Sequence, residues 1–486
     1  MSRTRLAVGS VTVLGALLRF PTLDAKSFWE DEAVTVFLVR RGFGSMLDAI
    51  PGSEATPPVY YVLAWVWTHV FGSGEVGIRS LSALIGTATV PVAYLAGREL
   101  VSRRVGITSA ALVAVNPLLV WYSQEARAYA LLVLLGGLSF LCFVRALREP
   151  GAHRLAAWAV VSSLALATHY FALFLVAAEA AWLLHRVRPR RAAVLALAPV
   201  VAVGAALLLL AEHQLESPGW IDEISLASRV VQIPGFFLIG FEAPIPFVLV
   251  AVAALLALAG LWSLVARADV LERRAALLAG AVGAAAVLAP LVLSLAGVDF
   301  LIFRNVIGAL FPLAVAVAVG FAGSCAGRIG PAAAAVLCAL SVGVVLATSW
   351  EPKYHREDWR GAAEALGAPD GTRVIVLTPE AGGEPLELYL GAVPMPAGEV
   401  AVREIDLIGG ARRDLGSLAA PRTPRPATPP PPAPGFTAVE RVEGEKFTLI
   451  RYRSDQPVRV TAELLAASVL DAVAPVVLVQ PAGSRY

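Results

Sequence analysis

About eleven apolar runs, most of them close to 20 residues long, recur along the first 349 positions of this chain. A helix needs about 20 such residues to cross roughly 30 Å of hydrocarbon. Hydrophobic residues make up 57% of the chain and charged residues 16%, against roughly 45–50% and 25% in soluble domains. We therefore expect a polytopic α-helical membrane protein with about eleven transmembrane helices. The runs lie at residues 6–22, 79–97, 105–122, 128–147, 155–169, 171–185, 192–211, 245–265, 275–296, 304–323 and 329–349.

One further run, from Pro57 to Phe71, is short and opens with a Pro pair. If it dips into the membrane without crossing, every Arg cluster between the later runs falls on the side of Arg3 and Arg5, as the positive-inside rule requires. If it crosses, those clusters fall on the opposite side. We therefore predict a membrane-dipping helix, a cytoplasmic N-terminus and an extracytoplasmic C-terminus. The clusters are Arg98/Arg103/Arg104, Arg145/Arg148/Arg154, Arg186/Arg188/Arg190/Arg191, Arg267/Arg273/Arg274 and Arg328.

The composition changes to a soluble pattern after Ser349, which predicts a transmembrane domain over 1–349 and a small extracytoplasmic α/β domain over 350–486. The Pro-rich stretch 421–434 reads as an extended linker or loop. The apolar run 460–480 is interrupted by charges and a Pro, so we expect a helix followed by a strand and not a twelfth span. Periodicity predicts helices over 359–366 and 384–390 and strands over 373–377 and 447–452.

An acidic knot, Glu30-Asp31-Glu32, lies in the predicted outer loop 23–78. Ser27 and Glu30 fit a capping box, and an apolar stripe follows at helical spacing, which predicts a helix on the membrane surface. Acids in a first turn stabilise the positive end of the helix dipole by about 0.3–1 kcal/mol, which is a sufficient structural explanation of one acid. Adjacent helical residues point in different directions, so at most one of Asp31 and Glu32 faces a substrate.

Five other polar residues fall on the same predicted outer face. Glu125 and Arg127 lie in a turn between two spans, where Arg127 either snorkels into headgroups or binds phosphate, and Glu125 either pairs locally or assists chemistry. The pair His169-Tyr170 ends a span and is typical of an interfacial anchor. Arg304 is the better functional candidate. Positively charged residues are normally enriched on the cytoplasmic side, whereas Arg304 is predicted on the outer side, where an anionic lipid headgroup would be a natural partner.

Nucleotide-binding and hydrolase motifs are missing from this sequence. It contains no G-x-x-x-x-G-K-[ST], no G-x-G-x-x-G after a strand, no H-E-x-x-H and no convincing G-x-S-x-G. Nothing indicates a nucleic-acid partner. A site on the outer face, remote from cytosolic nucleotides, needs a substrate that the membrane itself delivers.

Four short motifs together resemble the membrane glycosyltransferases of family 39 and their bacterial relatives, which include protein mannosyltransferases and aminoarabinose transferases of the GT-C fold. The resemblance extends to about residue 365, where Arg356 to Ala363 looks like the start of the periplasmic domain of bacterial members. The motifs are Trp29-Glu30-Asp31-Glu32, Pro57-Pro58-Val59-Tyr60-Tyr61, Gly77-Ile78-Arg79-Ser80 and Ser123-Gln124-Glu125-Ala126-Arg127.

This resemblance implies an enzyme of the bacterial plasma membrane that transfers a hexose or pentose from a polyprenyl-phosphate donor during cell-envelope glycosylation. Asp31 matches the family's candidate general base, and Glu32 is its neighbour. Cations must stabilise the departing phosphate, a role open to Arg127, Arg304 and His169. Tyr60 and Tyr61 are expected at the entrance of the cavity, with Tyr170 and Glu125 as further substrate-binding candidates.

The sequence departs from the family at one place, since many relatives carry A-R-x-D where this chain reads Ala126-Arg127-Ala128-Tyr129. Either Glu125 substitutes for that Asp or the carboxylate is dispensable. We assign no metal ligand, and a requirement for a divalent cation stays open, as do the sugar and the acceptor, which is a protein, a lipid or a polysaccharide. A lipid-linked glycan polymerase or ligase and, less well supported, a membrane transporter are the alternative functions.

Overall fold

The structure is a computed structural model that describes residues 3–214, 221, 224–412 and 422–483. Its contacts divide the chain into two compact units. The membrane unit comprises Met1–Leu23 and Leu38–Ala347, and the C-terminal unit comprises Asp24–Phe37 and Thr348–Tyr486. The acidic knot therefore groups with the C-terminal unit, although Leu38–Ala347 of the membrane unit lies between the two segments of that unit in sequence.

Each of the eleven predicted runs contains a helix. Within the residues that the structure describes, six helices are long and apolar enough to cross a membrane, and the chain is an integral membrane protein. These six are α5 (Glu75–Leu100), α8 (Tyr129–Arg148), α11 (Arg190–Gln214), α13 (Pro246–Arg267), α14 (Val270–Leu295) and α16 (Ile329–Trp350). The other runs form α1 (Arg3–Leu17), α6 (Arg103–Val115), α7 (Pro117–Tyr122), α9 (Ala152–Leu166), α10 (Ala172–Arg186) and α15 (Leu310–Ala322).

Burial differs strongly among the six long helices. In α8, 72% of the apolar window is buried, whereas in α11 and α13 only 17% is. Large apolar side chains such as Leu209 and Phe247 are exposed on those two helices. Such faces are stable only where lipid tails replace water, because apolar surface is costly to hydrate. The helix α8 therefore lies at the centre of the unit, and α11 and α13 lie at its lipid-facing surface.

Three shorter helices precede or interrupt the spans of the membrane unit. The segment predicted to dip into the membrane forms α4 (Val59–Phe71), 13 residues long, which is too short to cross a bilayer unaided. Before it lies α3 (Phe43–Ser53), which the sequence did not predict. A second unpredicted helix, α12 (Leu226–Ile239), lies in the loop between α11 and α13.

The C-terminal unit is built on a six-stranded mixed sheet with the order β2-β6-β1-β3-β5-β4. Only β1 and β3 are parallel, and the other neighbours are antiparallel. Both faces of the central strand β1 are covered, so all six of its residues are buried. The strands are β1 (Arg373–Thr378), β2 (Val393–Pro394), β3 (Val400–Gly410), β4 (Thr437–Glu443), β5 (Phe447–Val460) and β6 (Val476–Gln480).

Helices cover one face of this sheet and a loop covers much of the other. On the first face, α17 (Trp359–Leu366) and α18 (Gly383–Leu390) pack over Ile375 and Leu377. On the opposite face Val374 and Val376 pack against Ala433 and Phe436, at the end of the Pro-rich stretch. The prediction of a helix followed by a strand after residue 460 is confirmed by the short helix α19 (Ala462–Leu465) and by β6.

Candidate active site

The acids of the knot open α2 (Glu30–Val39), the only helix of the C-terminal unit's first segment. The carbonyl of Trp29 accepts the first helical hydrogen bonds, from the amides of Glu32 at 3.0 Å and Ala33 at 2.9 Å. All three acids thus lie in the first turn, where they complement the positive end of the helix dipole. Glu32 is completely buried, whereas Asp31 is half-buried.

The predicted cap is wrong, since Ser27 lies two residues before the residue that caps the helix. Its hydroxyl instead donates to the carbonyl of Glu357 at 2.8 Å and accepts from the amide of Trp359 at 3.1 Å. These two hydrogen bonds direct the hydroxyl towards residues 357–359, away from the position of a helix cap. The local capping signal was therefore overridden by a tertiary contact.

In the membrane unit, the turn from Ser123 to Ala128 is buried throughout. Arg19 holds its start, because the Arg19 Nε donates to the Ser123 hydroxyl at 3.1 Å. Gln124 donates to the Thr22 hydroxyl at 2.8 Å. A Cβ on Gly86 of α5 would lie 2.0 Å from Ser123 Oγ, so only glycine allows this close approach. These contacts fix the position of the two charged residues that follow in the turn.

Those two residues, Glu125 and Arg127, have different partners. The indole of Trp121 donates to Glu125 Oε1 at 2.6 Å, so the Glu125 carboxylate pairs with a nearby residue of the chain, which is one of the two roles predicted for it. Arg127 Nη1 donates to Glu54 Oε1 at 2.6 Å, and both side chains of this pair are less than a tenth exposed. A buried Arg with a carboxylate partner is not snorkelling into headgroups.

Tyr61 and His169 extend this pair into a larger polar cluster. The Tyr61 hydroxyl lies 2.7 Å from Thr56 Oγ1 and within electrostatic range of both Arg127 and Glu54. His169, buried in the turn between α9 and α10, lies within range of the charges of Arg127 and Arg304. We define the polar cluster as Glu54, Tyr61, Arg127, His169 and Arg304.

Two further predicted residues, Tyr60 and Tyr170, lie next to members of the polar cluster or are linked to it by hydrogen bonds. Tyr60 is completely buried, with its ring 5.7 Å from that of Tyr61 and its hydroxyl 3.3 Å from Ser82 Oγ. Tyr170 donates to the side chain of Gln214, which in turn donates to the carbonyl of Thr56 at 3.4 Å. Sequence reasoning missed Glu54, although it stands three residues before the Pro pair.

The part of the chain that the structure describes contains no group of three or more His, Cys, Asp or Glu side chains arranged to hold a metal. Two guanidinium groups and an imidazole outnumber the one carboxylate of the polar cluster, so the cluster is suited to an anion. Charge–charge interactions among its buried members are several times stronger than in water.

The membrane unit thus combines apolar helices with a polar cluster in which basic groups outnumber acidic ones. Residues 55–214 match the model of a family described as dolichyl-phosphate-mannose-protein mannosyltransferase. That range holds six of the predicted site residues, and the match confirms the resemblance to family 39 of the membrane glycosyltransferases. No curated protein matches the chain.

Three solved structures illustrate how distant the known likenesses are. ArnT from Cupriavidus metallidurans bound to undecaprenyl phosphate is 16% identical over 65% of this chain and 59% of its own, with a TM-score of 0.44. An Archaeoglobus fulgidus oligosaccharyltransferase complex with Zn and sulfate is 14% identical over 75% and 56%, with a TM-score of 0.47. The S. cerevisiae Pmt1-Pmt2 complex bound to its sugar donor is 18% identical over 44% and 34%, with a TM-score of 0.34. The chain thus spans about three fifths of the ArnT structure.

Proposed function

We propose that this chain is an inverting glycosyltransferase that moves a hexose or pentose from a polyprenyl-phosphate donor to a hydroxyl acceptor. The family match over residues 55–214 supports glycosyl transfer as the reaction class. The observation that carries the proposal is the polar cluster, in which the buried guanidinium of Arg127 is held by Glu54 at 2.6 Å and His169 is buried as well. A buried cluster of this kind is suited to a lipid-borne phosphate.

The reaction needs a base, a nucleophile and a leaving group. The Asp31 carboxylate takes the proton of the acceptor hydroxyl, and the acceptor oxygen bonds to the anomeric carbon. The bond from that carbon to the phosphate oxygen breaks, its electron pair leaves with the polyprenyl phosphate, and the configuration inverts. Asp31 is preferred to Glu32 because its side chain is half-buried, whereas Glu32 is completely buried. Glu32 is then a neighbour that orients the acceptor or holds the loop.

The leaving phosphate gains negative charge as the bond breaks, so groups that meet it with positive charge lower the barrier. Two unit charges 4 Å apart interact by about 4 kcal/mol at an effective dielectric constant of about 20. Arg304 and Arg127 supply such charges. One guanidinium group can donate hydrogen bonds to two phosphate oxygens at once, which the ammonium group of Lys does less readily. Arg127 has already been oriented by Glu54 when the donor arrives.

The distribution of Arg along the sequence supports a reaction on the extracytoplasmic side of a bacterial plasma membrane. In that orientation the N-terminus is cytoplasmic, and the acidic helix and the sheet of the C-terminal unit are extracytoplasmic. Polyprenyl-phosphate sugars reach that face within the membrane, and the acceptor is a protein, a lipid or a growing polysaccharide.

Sugar transfer by purified Asp31→Asn protein tests the proposal, after mass spectrometry of co-purified lipid has identified the donor. A positioned base contributes about 10²–10⁴ in rate, so this variant should lose nearly all activity. Glu30→Gln is the matched control, because it removes the neighbouring acid of the same turn, and it should stay within a fewfold of wild type. Near-normal transfer by Asp31→Asn would remove Asp31 from the role of base.

A further inference from the structure

The segment that leads into the acidic helix is anchored on the C-terminal unit at four points. Ser27 bonds to the backbone of Glu357 and Trp359, as described above. The amide of Phe28 donates to the Tyr389 hydroxyl at 2.8 Å, and the two rings stack with centroids 6.2 Å apart. The Arg356 guanidinium lies 4.0 Å over the ring of Trp29. Arg360 donates to the carbonyl of Asp24 at 2.9 Å.

The anchors themselves belong to the rigid part of that unit. Trp359 is buried in the sheet core, where a Cβ on Gly410 would lie 2.3 Å from its ring. Asp358 caps α17 by accepting from the amide of Gly361 at 2.9 Å. Tyr389 projects from α18, which packs on the same face of the sheet. A segment held by such groups shares their low mobility.

The anchored residues run directly into the first turn of α2. Trp29 lies under Arg356 and is also the residue whose carbonyl accepts the first helical hydrogen bonds. Asp31 follows Phe28 by three residues, less than one helical turn. The position of the first turn of α2, which carries Asp31, is therefore set by contacts with residues 356–360 and 389.

We infer that the C-terminal unit is a positioning device for the acidic helix, with Tyr389 as its principal positioning residue. This inference rests on the proposed function, because it assigns to the unit the task of holding Asp31 for proton transfer. It gives the Arg356-Glu357-Asp358-Trp359-Arg360 motif a role beyond beginning a soluble domain. Misplacing a catalytic group by about 1 Å can lower the rate roughly 100-fold, so we expect the loss of an anchor to lower kcat.

The test uses the full-length protein with Tyr389→Phe, which removes the hydroxyl and keeps the ring. Hydrogen exchange of the peptide covering residues 28–33 should become roughly three- to tenfold faster, because the Phe28 amide loses its acceptor. The kcat of sugar transfer should fall roughly tenfold or more, with the KM for the donor unchanged. The matched control is Tyr452→Phe, because Tyr452 is a buried tyrosine of the same unit whose hydroxyl donates to the Pro429 carbonyl at 2.7 Å. It should leave both quantities at wild-type values.

Each outcome decides one part of the inference. Unchanged exchange in Tyr389→Phe would overturn the anchoring, and faster exchange with a wild-type kcat would overturn the positioning role. A raised KM with constant kcat would also overturn it, since the residue would then serve donor binding. Failure of the proposed function looks different: Asp31→Asn would transfer sugar normally, while the exchange response to Tyr389→Phe would persist.

Discussion

Arg127 and Glu54 form an ion pair at 2.6 Å across 73 residues of sequence, and both are buried in the membrane unit. Removing one member of a buried pair typically costs about 3–5 kcal/mol, because the other charge is left uncompensated. Removing both is often nearly neutral. This asymmetry separates what the pair does for stability from what Arg127 does for the reaction.

We expect Arg127→Gln to lower the unfolding temperature in detergent, and Glu54→Gln/Arg127→Gln to recover most of that loss. Transfer activity should remain low in both variants, since each lacks the cation that faces the leaving phosphate. The measurements are thermal unfolding and donor turnover on the same preparations. Full recovery of activity in the double variant would show that Arg127 serves the fold alone.

Arg304 gives a second prediction. Arg304→Gln should lower kcat/KM for the donor by roughly 10- to 100-fold, the range for losing one charged hydrogen bond of about 1.5–3 kcal/mol. Arg304→Lys should restore only part of this, because an ammonium group cannot bind phosphate in the two-pronged fashion of a guanidinium. The exposed Arg273, at the start of α14, serves as the control through Arg273→Gln. Equal losses in the two Gln variants would point to bulk electrostatics instead of a site.

Much of the membrane unit could be predicted, because the apolar length needed to cross a bilayer leaves a strong local signal. The strand β3 was missed for the opposite reason. It contains Glu404 and Asp406, which read as surface residues, yet Asp406 is completely buried and accepts from Arg451 at 2.9 Å. A strand is recognised in a sequence by the alternation of apolar and polar residues. Where charged residues are buried as ion pairs, polar residues occupy buried positions and this alternation is lost.

The candidate site was less predictable, since its contacts are made between residues far apart in sequence. Glu54 carries no motif of its own and becomes notable only when Arg127 lies beside it. The Ser27 cap failed similarly, because its hydroxyl found partners 330 and 332 residues away. Periodicity and composition report on neighbours along the chain, so neither could have revealed these pairs.

Arg19 gives a third prediction, at a residue the sequence did not single out. It is 1% exposed and donates to the carbonyls of Gly15 at 3.0 Å and Ala114 at 2.7 Å, in the last turns of α1 and α6. A cation there satisfies the unpaired carbonyls and the negative ends of two helix dipoles. We expect Arg19→Gln to lower thermal stability and to loosen the Ser123 turn, whereas Arg3→Gln, at the exposed start of α1, should change neither. An unchanged melting temperature for Arg19→Gln would contradict this role.

The fourth prediction concerns the pH dependence of stability. Two hydrogen bonds from Arg229, at 2.8 and 2.5 Å, lower the pKa of Asp299 to about 2. An unfolded Asp has a pKa of about 3.9, so the folded protein binds the proton more weakly. The pair therefore contributes fully above about pH 5. Its contribution, on the order of 1 kcal/mol after screening by solvent, is lost as the pH falls to about 2.

Melting curves of wild type and Asp299→Asn in detergent should therefore differ most near pH 6, and the difference should shrink steadily below about pH 5. Other carboxylates also protonate in this range, but they do so in both proteins, so the difference isolates Asp299. Asp269→Asn is the control. Asp269 caps α14 by accepting from the amide of Glu272 at 2.8 Å, and that hydrogen bond involves no Arg. If the difference between wild type and Asp299→Asn were constant from pH 6 to pH 2.5, the bond to Arg229 would not be the source of the stabilisation.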